Sequence, residues 1–184
     1  MENRLMPVIS KQAIAQVSWG QLALLEPEDG PILQALCENC TDYFELITGL
    51  PTAPSEAQSL FVALPEGKDY DDKVIVGLFD HQQRMIGVLD AIRGYPSPTT
   101  WYLGLLLFEP SQRQRGMGRE AYLAFERWAA EAGAHRMRLG AVTQNPRGIR
   151  FWQQLGFTEV LKRRIKQGVL ESECLVMERE IISP

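Results

Sequence analysis

Thiols and imidazoles are scarce in this chain: three cysteines and two histidines among 184 residues. An odd trio of cysteines builds no disulfide framework. Cys37-Glu38-Asn39-Cys40 has the spacing of a metal or redox pair, but only Cys174, His81 and His135 are left to complete it. A structural zinc site needs about four ligands in a defined arrangement, so no metal is expected and a packing role for the pair is. Also missing is any run of about 18 apolar residues, which sets aside a membrane-spanning helix. The first 20 residues are interrupted by Glu2, Asn3, Arg4, Lys11 and Gln12 and lack the apolar stretch of a secretory signal. There is no excess of basic residues: 19 Lys and Arg stand against 23 Asp and Glu, a net charge of −4. A whole-surface binder of nucleic acid is usually basic. The expectation from these absences is a cytoplasmic protein with reduced thiols, no membrane partner and no nucleic-acid partner.

What remains is ordinary globular composition, 45% hydrophobic and 23% charged, enough for one sizeable core. A single domain over residues 1–184 is expected, with 1–20 as a loose tail. A short strand is read at Gln21–Leu25. Helices follow over Pro31–Cys40 and Thr41–Thr48, where Gly49 stops the chain in the manner of a C-terminal glycine. A turn at Pro51–Ser55 leads to a short helix ending near Leu64. The texture then changes. Lys73–Phe79 and Met85–Ile92 form a hairpin pattern, and Trp101–Phe108 is almost wholly apolar, as for a strand buried on both faces. Met117, Ala121, Phe125, Trp128 and Ala132 recur with helical period. Arg136–Val142 is a further strand. Asn145-Pro146 is an N-cap followed by proline at the first helical position, and that helix runs to Leu155. Two final strands, Phe157–Ile165 and Glu173–Ile181, complete the chain. The strand–helix–strand unit at 101–142 demands a parallel pair, and the hairpins demand antiparallel ones. The fold class is therefore α/β: a mixed, mostly antiparallel sheet of six to seven strands, with helices on both faces.

The chemistry concentrates in Glu109-Pro110-Ser111-Gln112-Arg113-Gln114-Arg115-Gly116-Met117-Gly118-Arg119, between the buried strand and the long helix. Two glycines one residue apart let main chain approach a ligand closely. The first turn of the next helix leaves amides free at the positive end of its dipole, a setting that favours phosphate or pyrophosphate. Arg113, Arg115 and Arg119 add charged donors. A tight turn with solvated arginines is the competing reading. A nucleotide-hydrolysing P-loop is not expected, because no Gly-x-x-x-x-Gly-Lys-Ser/Thr occurs.

Arg113-Gln114-Arg115-Gly116-Met117-Gly118 resembles the Arg/Gln-x-x-Gly-x-Gly/Ala signature of the GNAT N-acetyltransferase superfamily. Phe108-Glu109-Pro110 stands where that family usually has Val-x-Pro. Downstream, the stretch from Asn145-Pro146-Arg147-Gly148 through Phe151-Trp152 to Gly156-Phe157 is similar to its Asn-x-x-Ala-x-x-Phe-Tyr-x-x-x-Gly-Phe. The likeness is dense over about 73–181 and thinner over 21–50.

That resemblance implies a splayed parallel pair at 101–108 and 136–142 with acetyl-CoA in the opening. The main chain of Leu106 and Phe108 would pair with the pantetheine amides as an added strand. Main-chain amides from Gln114 through Arg115, Gly116, Met117 and Gly118 to Arg119 would hold the pyrophosphate. Asn145 is similar to the asparagine that touches the pantetheine arm, and a plain N-cap role is equally open. The implied activity is direct acetyl transfer to an amine, either a small molecule or a peptide. A non-catalytic acyl-CoA-binding or regulatory module on the same fold is the alternative, and a homodimer is left open.

The chain departs from the pattern at Trp152. Many relatives carry a tyrosine there that protonates the leaving thiolate, and an indole N–H is no acid at useful pH. Trp152 is carried as a cofactor-contacting residue instead. No carboxylate precedes Glu109 on the buried strand, so Tyr102 and Asp90 are the candidate catalytic groups. Structural hydrogen bonds for both, or a water chain as the base, are the competing readings. Asp42, Tyr43 and Glu45 would suit a cationic acceptor, or are simply exposed helix residues. Lys162-Arg163-Arg164 with Lys166 is expected on a solvated sheet edge.

Overall fold

A computed structural model describes residues 12–181. Eight strands form one sheet in the order β1-β2-β3-β4-β5-β6-β8-β7. They are β1 (Ala13–Val17), β2 (Gly20–Leu24), β3 (Lys73–Asp80), β4 (Met85–Ile92), β5 (Thr100–Phe108), β6 (Arg136–Val142), β7 (Thr158–Gln167) and β8 (Leu170–Glu180). Every pairing is antiparallel except β5 with β6. The sheet has one strand more than the six to seven expected. The extra strand is β1, which falls inside the expected tail. Its five residues are too short and too exposed to carry a period, and what holds them is tertiary. Glu120, in the first turn of the long helix, accepts from the Ser18 amide (2.5 Å) and hydroxyl (2.6 Å) at the β1–β2 turn. The tail reading thus fails for 13–20, and residues 1–11 lie outside the described residues.

Helices α1 (Gly30–Asn39), α2 (Thr41–Thr48) and α3 (Glu56–Val62) cover one face of the sheet, and α4 (Met117–Glu131) and α5 (Pro146–Gln154) the other. Gly49 closes α2 at φ 72°, where glycine carries no Cβ penalty. Each face has its own core. Leu33, Leu36, Cys37 and Phe44 pack with Ile75 and Val88 on the α1–α3 side. Tyr122, Phe125, Met137 and Phe157 pack on the other. Among the described residues no helix is long and apolar enough to cross a membrane.

One irregularity sets up the site. Across β4 and β5, Asp90 pairs with Leu105 and Ala91 with Leu103, so Gly104 is an inserted residue. Such a bulge bends its strand and resets the alternation of side chains. Trp101 and Leu103 therefore face α4, whereas Leu105 and Leu107 face α1–α3. This is why the stretch reads as continuously apolar: each face of the strand meets a core.

Candidate active site

The parallel pair is short. β5 and β6 are paired only from Thr100–Leu103 against Arg136–Leu139. Beyond that, β5 stays with β4 as far as Phe108, and β6 stays with β8 through Val142. A gap opens between the two strands, and Gly104 and Gly140 at its mouth are exposed although they sit in mid-sheet. The Glu109 amide donates to Ile86 O on β4 at 3.0 Å. Main-chain groups of an antiparallel strand point alternately to its two sides, so those of Leu106 and Phe108 point into the gap. The Phe108 carbonyl is taken, accepting from Arg113 Nε at 2.7 Å and from the Cys40 thiol at 3.6 Å. Its amide and both polar groups of Leu106 remain for an added strand.

Past β5, a tight turn at Pro110–Gln112 brings the chain to the start of α4. Gln114 at φ 63° and Gly116 at φ 78° both lie in the left-handed region. Alternating left-handed residues gather successive amides toward one side, a concavity suited to anions. Among the described residues, the amides from Gln114 to Arg119 donate no hydrogen bond. Gly118 faces Phe151 and Phe108, with 3.4 Å and 3.8 Å of space for a Cβ. Alanine would fit there and a large side chain would not. The Met117 side chain is buried in the core, leaving its main chain to serve the loop. Arg115 and Arg119 are exposed; Arg115 reaches only Gln112, at 3.4 Å. Arg113 is placed differently from the other two. Besides gripping Phe108, its guanidinium forms a forked ion pair with Asp42 on α2. This pair holds the Asp42 carboxyl below the usual carboxylate range, through the hydrogen bond first of all. Arg113 therefore ties α2 to the end of β5, and Asp42 is no free anion for a cationic acceptor.

Asn145 caps α5, its Oδ1 accepting from the Gly148 amide at 2.9 Å. A Cβ on Gly148 would lie 2.6 Å from Asn145 Nδ2, so glycine here lets the cap close tightly. The Gln114 amide oxygen, turned toward α5, accepts from Arg147 at 3.1 and 3.2 Å and links the loop to that helix. Trp152 lies edge-on to Tyr122 and Phe157, with ring centroids 5.6 and 5.3 Å away. Its indole builds the core between α4 and α5. Tyr122 supplies no replacement acid: it is fully buried and bonded to Glu126, and burial pushes its hydroxyl far above the usual range.

The two catalytic candidates flank the gap on the α1–α3 face. Asp90 Oδ2 lies 2.7 Å from the position a Cβ would take on Gly104. Only the missing side chain at the bulge lets this carboxylate reach the point where β5 departs from β6. Lys73 Nζ sits 2.8 Å from Asp90 Oδ1, and both side chains are nearly inaccessible. Lys73 acts on this oxygen first through its charge and then through the hydrogen bond the short distance allows. Burial raises the Asp90 pKa and Lys73 opposes the rise. Tyr102 reaches the other side of the gap, its hydroxyl 3.0 Å from a Cβ position on Gly140. Burial raises its pKa, with Arg163 of β7 opposing. Sequence reasoning misses Lys73, whose partner lies on a neighbouring strand, and Arg163, which reads only as part of a solvated edge. The edge itself is where it is expected, β7 being the outermost strand.

The cysteine pair belongs to the core. Cys37 and Cys40 are buried under α1, and burial pushes their thiols up to about 12 and about 11.

Compared with models of protein families, residues 35–157 match that of the acetyltransferase (GNAT) family. The chain belongs to the GNAT family. Among solved structures, this GNAT chain is similar to an acetyltransferase from Thermus thermophilus. That pair shares 27% identity over 92% of this chain and 99% of the other, with a TM-score of 0.65. The spermidine N-acetyltransferase from Vibrio cholerae, solved with CoA and spermine, is 15% identical. It matches 86% of this chain and 94% of its own length, with a TM-score of 0.67. The ribosomal-protein-S18-alanine N-acetyltransferase from Escherichia coli is 16% identical, with 89% and 94% covered and a TM-score of 0.65. The last two likenesses establish the shared GNAT fold. Comparison with curated proteins gives no significant match.

Proposed function

We propose that this GNAT protein transfers an acetyl group from acetyl-CoA to an amine. The observation that carries this reading is the run of unpartnered amides from Gln114 to Arg119, set beside a gap into which Leu106 and Phe108 turn their main chain. A pyrophosphate suits the first feature and an amide-bearing arm suits the second. Arg115 and Arg119 would add charge at the rim, and Asn145 Nδ2 is free to face the arm while Oδ1 caps its helix. Bound there, acetyl-CoA supplies an acetyl group already activated as a thioester.

Asp90 is the base in this proposal. It stands at the splay, buried enough to have its pKa raised, and it takes a proton from the acceptor nitrogen. Lys73 keeps the carboxylate ionised against that burial. Tyr102 orients the acceptor from the other side. The thiolate needs no protein acid, since thiols titrate at about 8.5, and that is consistent with a tryptophan at 152. The reaction belongs to the cytoplasm, where buried free thiols such as these stay reduced.

The test is acetyl-CoA-dependent thiol release across a panel of amines. Acceleration by at least one amine is expected, with a product heavier by one acetyl group. Binding of acetyl-CoA with no acceleration by any amine would favour a regulatory module instead, for which the loss of a tyrosine at 152 is the supporting observation.

A further inference from the structure

Half of the α1–α3 face, formed by β6, β8 and β7, is not packed under a helix: none of its residues enters the core beneath α1–α3. Met137, Leu139, Leu175 and Met177 point into the other core. Side chains alternate along a strand, so register turns Arg138 and Gly140 of β6, Cys174 and Glu178 of β8 and Arg163 of β7 to this side. The tip of the β7–β8 hairpin rests on α2, the Val169 amide donating to Thr48 O at 2.9 Å. The hairpin and α2 thus bound a trough that runs to the mouth of the β5–β6 gap.

At that mouth Tyr102 and Cys174 meet over Gly140. The hydroxyl and the thiol sulfur lie 3.0 and 2.9 Å from the position of a Cβ there. Arg163, paired with Cys174 in register, reaches both groups. Burial holds the hydroxyl and the thiol above their usual ranges, so at neutral pH neither carries a charge to balance the guanidinium. The other charges around it are matched. Arg138 lies 2.9 Å from Glu178, Arg136 pairs with Glu180, and Asp90 across the gap pairs with Lys73. Among the described residues, Arg163 has no carboxylate within ion-pair distance. Its guanidinium is a planar fork of donors that fits a carboxylate, and neither a phenol nor a thiol uses that fork.

We propose that Arg163 binds a carboxylate on the acceptor, so that the preferred substrates are amino acids or other amines with a carboxylate a few bonds from the reacting nitrogen. This rests on the acetyl-transfer reading above. With its nitrogen at Asp90 and its carboxylate at Arg163, the acceptor lies across the splay and past Tyr102. One unmatched arginine balances one negative charge, which suits a carboxylate better than a phosphate of charge about −2. A polyamine would bring a second ammonium against the same guanidinium.

The test is kcat/KM for ω-amino acids from glycine to 6-aminohexanoate, each relative to the alkylamine with the same number of carbons. Wild type should favour the carboxylate by about tenfold or more at one length at least. Arg163→Gln should bring that ratio to within about twofold of unity, and Arg163→Glu should push it below one, because like charges repel. Arg163 is exposed, so the circular dichroism spectrum should stay as in wild type. Arg164→Gln changes the next residue of β7, on the opposite side of the strand, and should keep the wild-type ratio. That control separates a contact from the general field of a basic strand. A wild-type ratio near one at every length, a ratio that survives Arg163→Gln, or an equal fall in Arg164→Gln would overturn the proposal. If no amine is acetylated, calorimetric titration with the same amino acids in the presence of acetyl-CoA decides the matter. Binding that Arg163→Gln abolishes supports the site, and no binding to wild type refutes it. A parallel acetyl-CoA titration reports separately on the acetyl-transfer reading.

Discussion

The two faces of this sheet are built by different means. On the side of α4 and α5, the elements that would hold a cofactor are main chain: unpartnered amides after Gln114, and the strand edge at Leu106 and Phe108. On the side of α1 to α3, the elements that would position and activate an acceptor are side chains: Asp90, Lys73 and Tyr102. A main-chain site demands only conformations, which a few glycines and a helix start supply. Its side chains can drift. A side-chain site demands identities, each placed by tertiary contacts between distant segments. One face can thus keep a single ligand while the other changes its specificity.

The sharpest way to break this comparison is Asp90→Asn. Acetyl transfer should fall by about 10²–10⁴-fold with acetyl-CoA affinity unchanged, read by steady-state kinetics and calorimetry together. Loss of a partner also leaves Lys73 buried and unpaired, at a cost of about 3–5 kcal/mol. The double variant Asp90→Asn with Lys73→Met should recover stability in a denaturant melt but not the rate. A rate within about threefold of wild type would remove Asp90 from the chemistry.

On the opposite face, Gly118→Trp should weaken acetyl-CoA by at least about tenfold, since a ring there presses on Phe151 and Phe108 and pushes the start of α4, with its amides, out of place. Gly118→Ala should stay within about threefold, because a Cβ at 3.4 Å from Phe151 is ordinary contact. Equal effects from tryptophan and alanine, or none from either, would contradict a main-chain cradle at this position.

Next in size is a pH effect. Burial raises the Asp90 pKa and Lys73 lowers it. The base must be ionised, so activity rises as pH climbs through that raised value. Lys73→Met takes away the opposing charge and should move the acid limb of kcat/KM to higher pH. For stability the sign is opposite: a carboxyl with a raised folded-state pKa favours the fold when protonated, and that contribution is lost as pH rises from the unfolded value through the folded one. A limb that stays in place, or moves down, would separate Lys73 from the base.

The smallest effect belongs to Arg113→Gln. Its partner Asp42 is more than half exposed, and surface pairs are worth about 0.2–1 kcal/mol. Acetyl-CoA affinity should change by no more than about threefold. A larger loss than from Gly118→Trp would make the cradle depend on side chains and erase the contrast between the faces.

The same contrast explains what can be read in the sequence. Gly116, Gly118 and the Asn145 cap announce themselves locally, and the apolar stretch at 101–108 and the period of α4 place them between the right elements. Asp90 is visible as a carboxylate on the adjacent strand, but its reach to the splay depends on the bulge at Gly104, for which the lone glycine within the strand is the only local sign. Lys73 escapes notice, because its significance is a contact with another strand. Arg113 looks like its neighbours Arg115 and Arg119, and only the fold brings Asp42 to it. β1 is hidden for the same reason, held as it is by Glu120 from more than a hundred residues away. Turns, caps and periods are local; ion pairs across strands are not.

The most direct test of the central claim is a calorimetric titration of the protein with acetyl-CoA, run beside Gly118→Trp. Saturable one-to-one binding in the micromolar range is the expected result, weakened by at least about tenfold in the variant. No binding at millimolar acetyl-CoA, or equal binding by both proteins, would contradict a cofactor site built on the amides from Gln114 to Arg119.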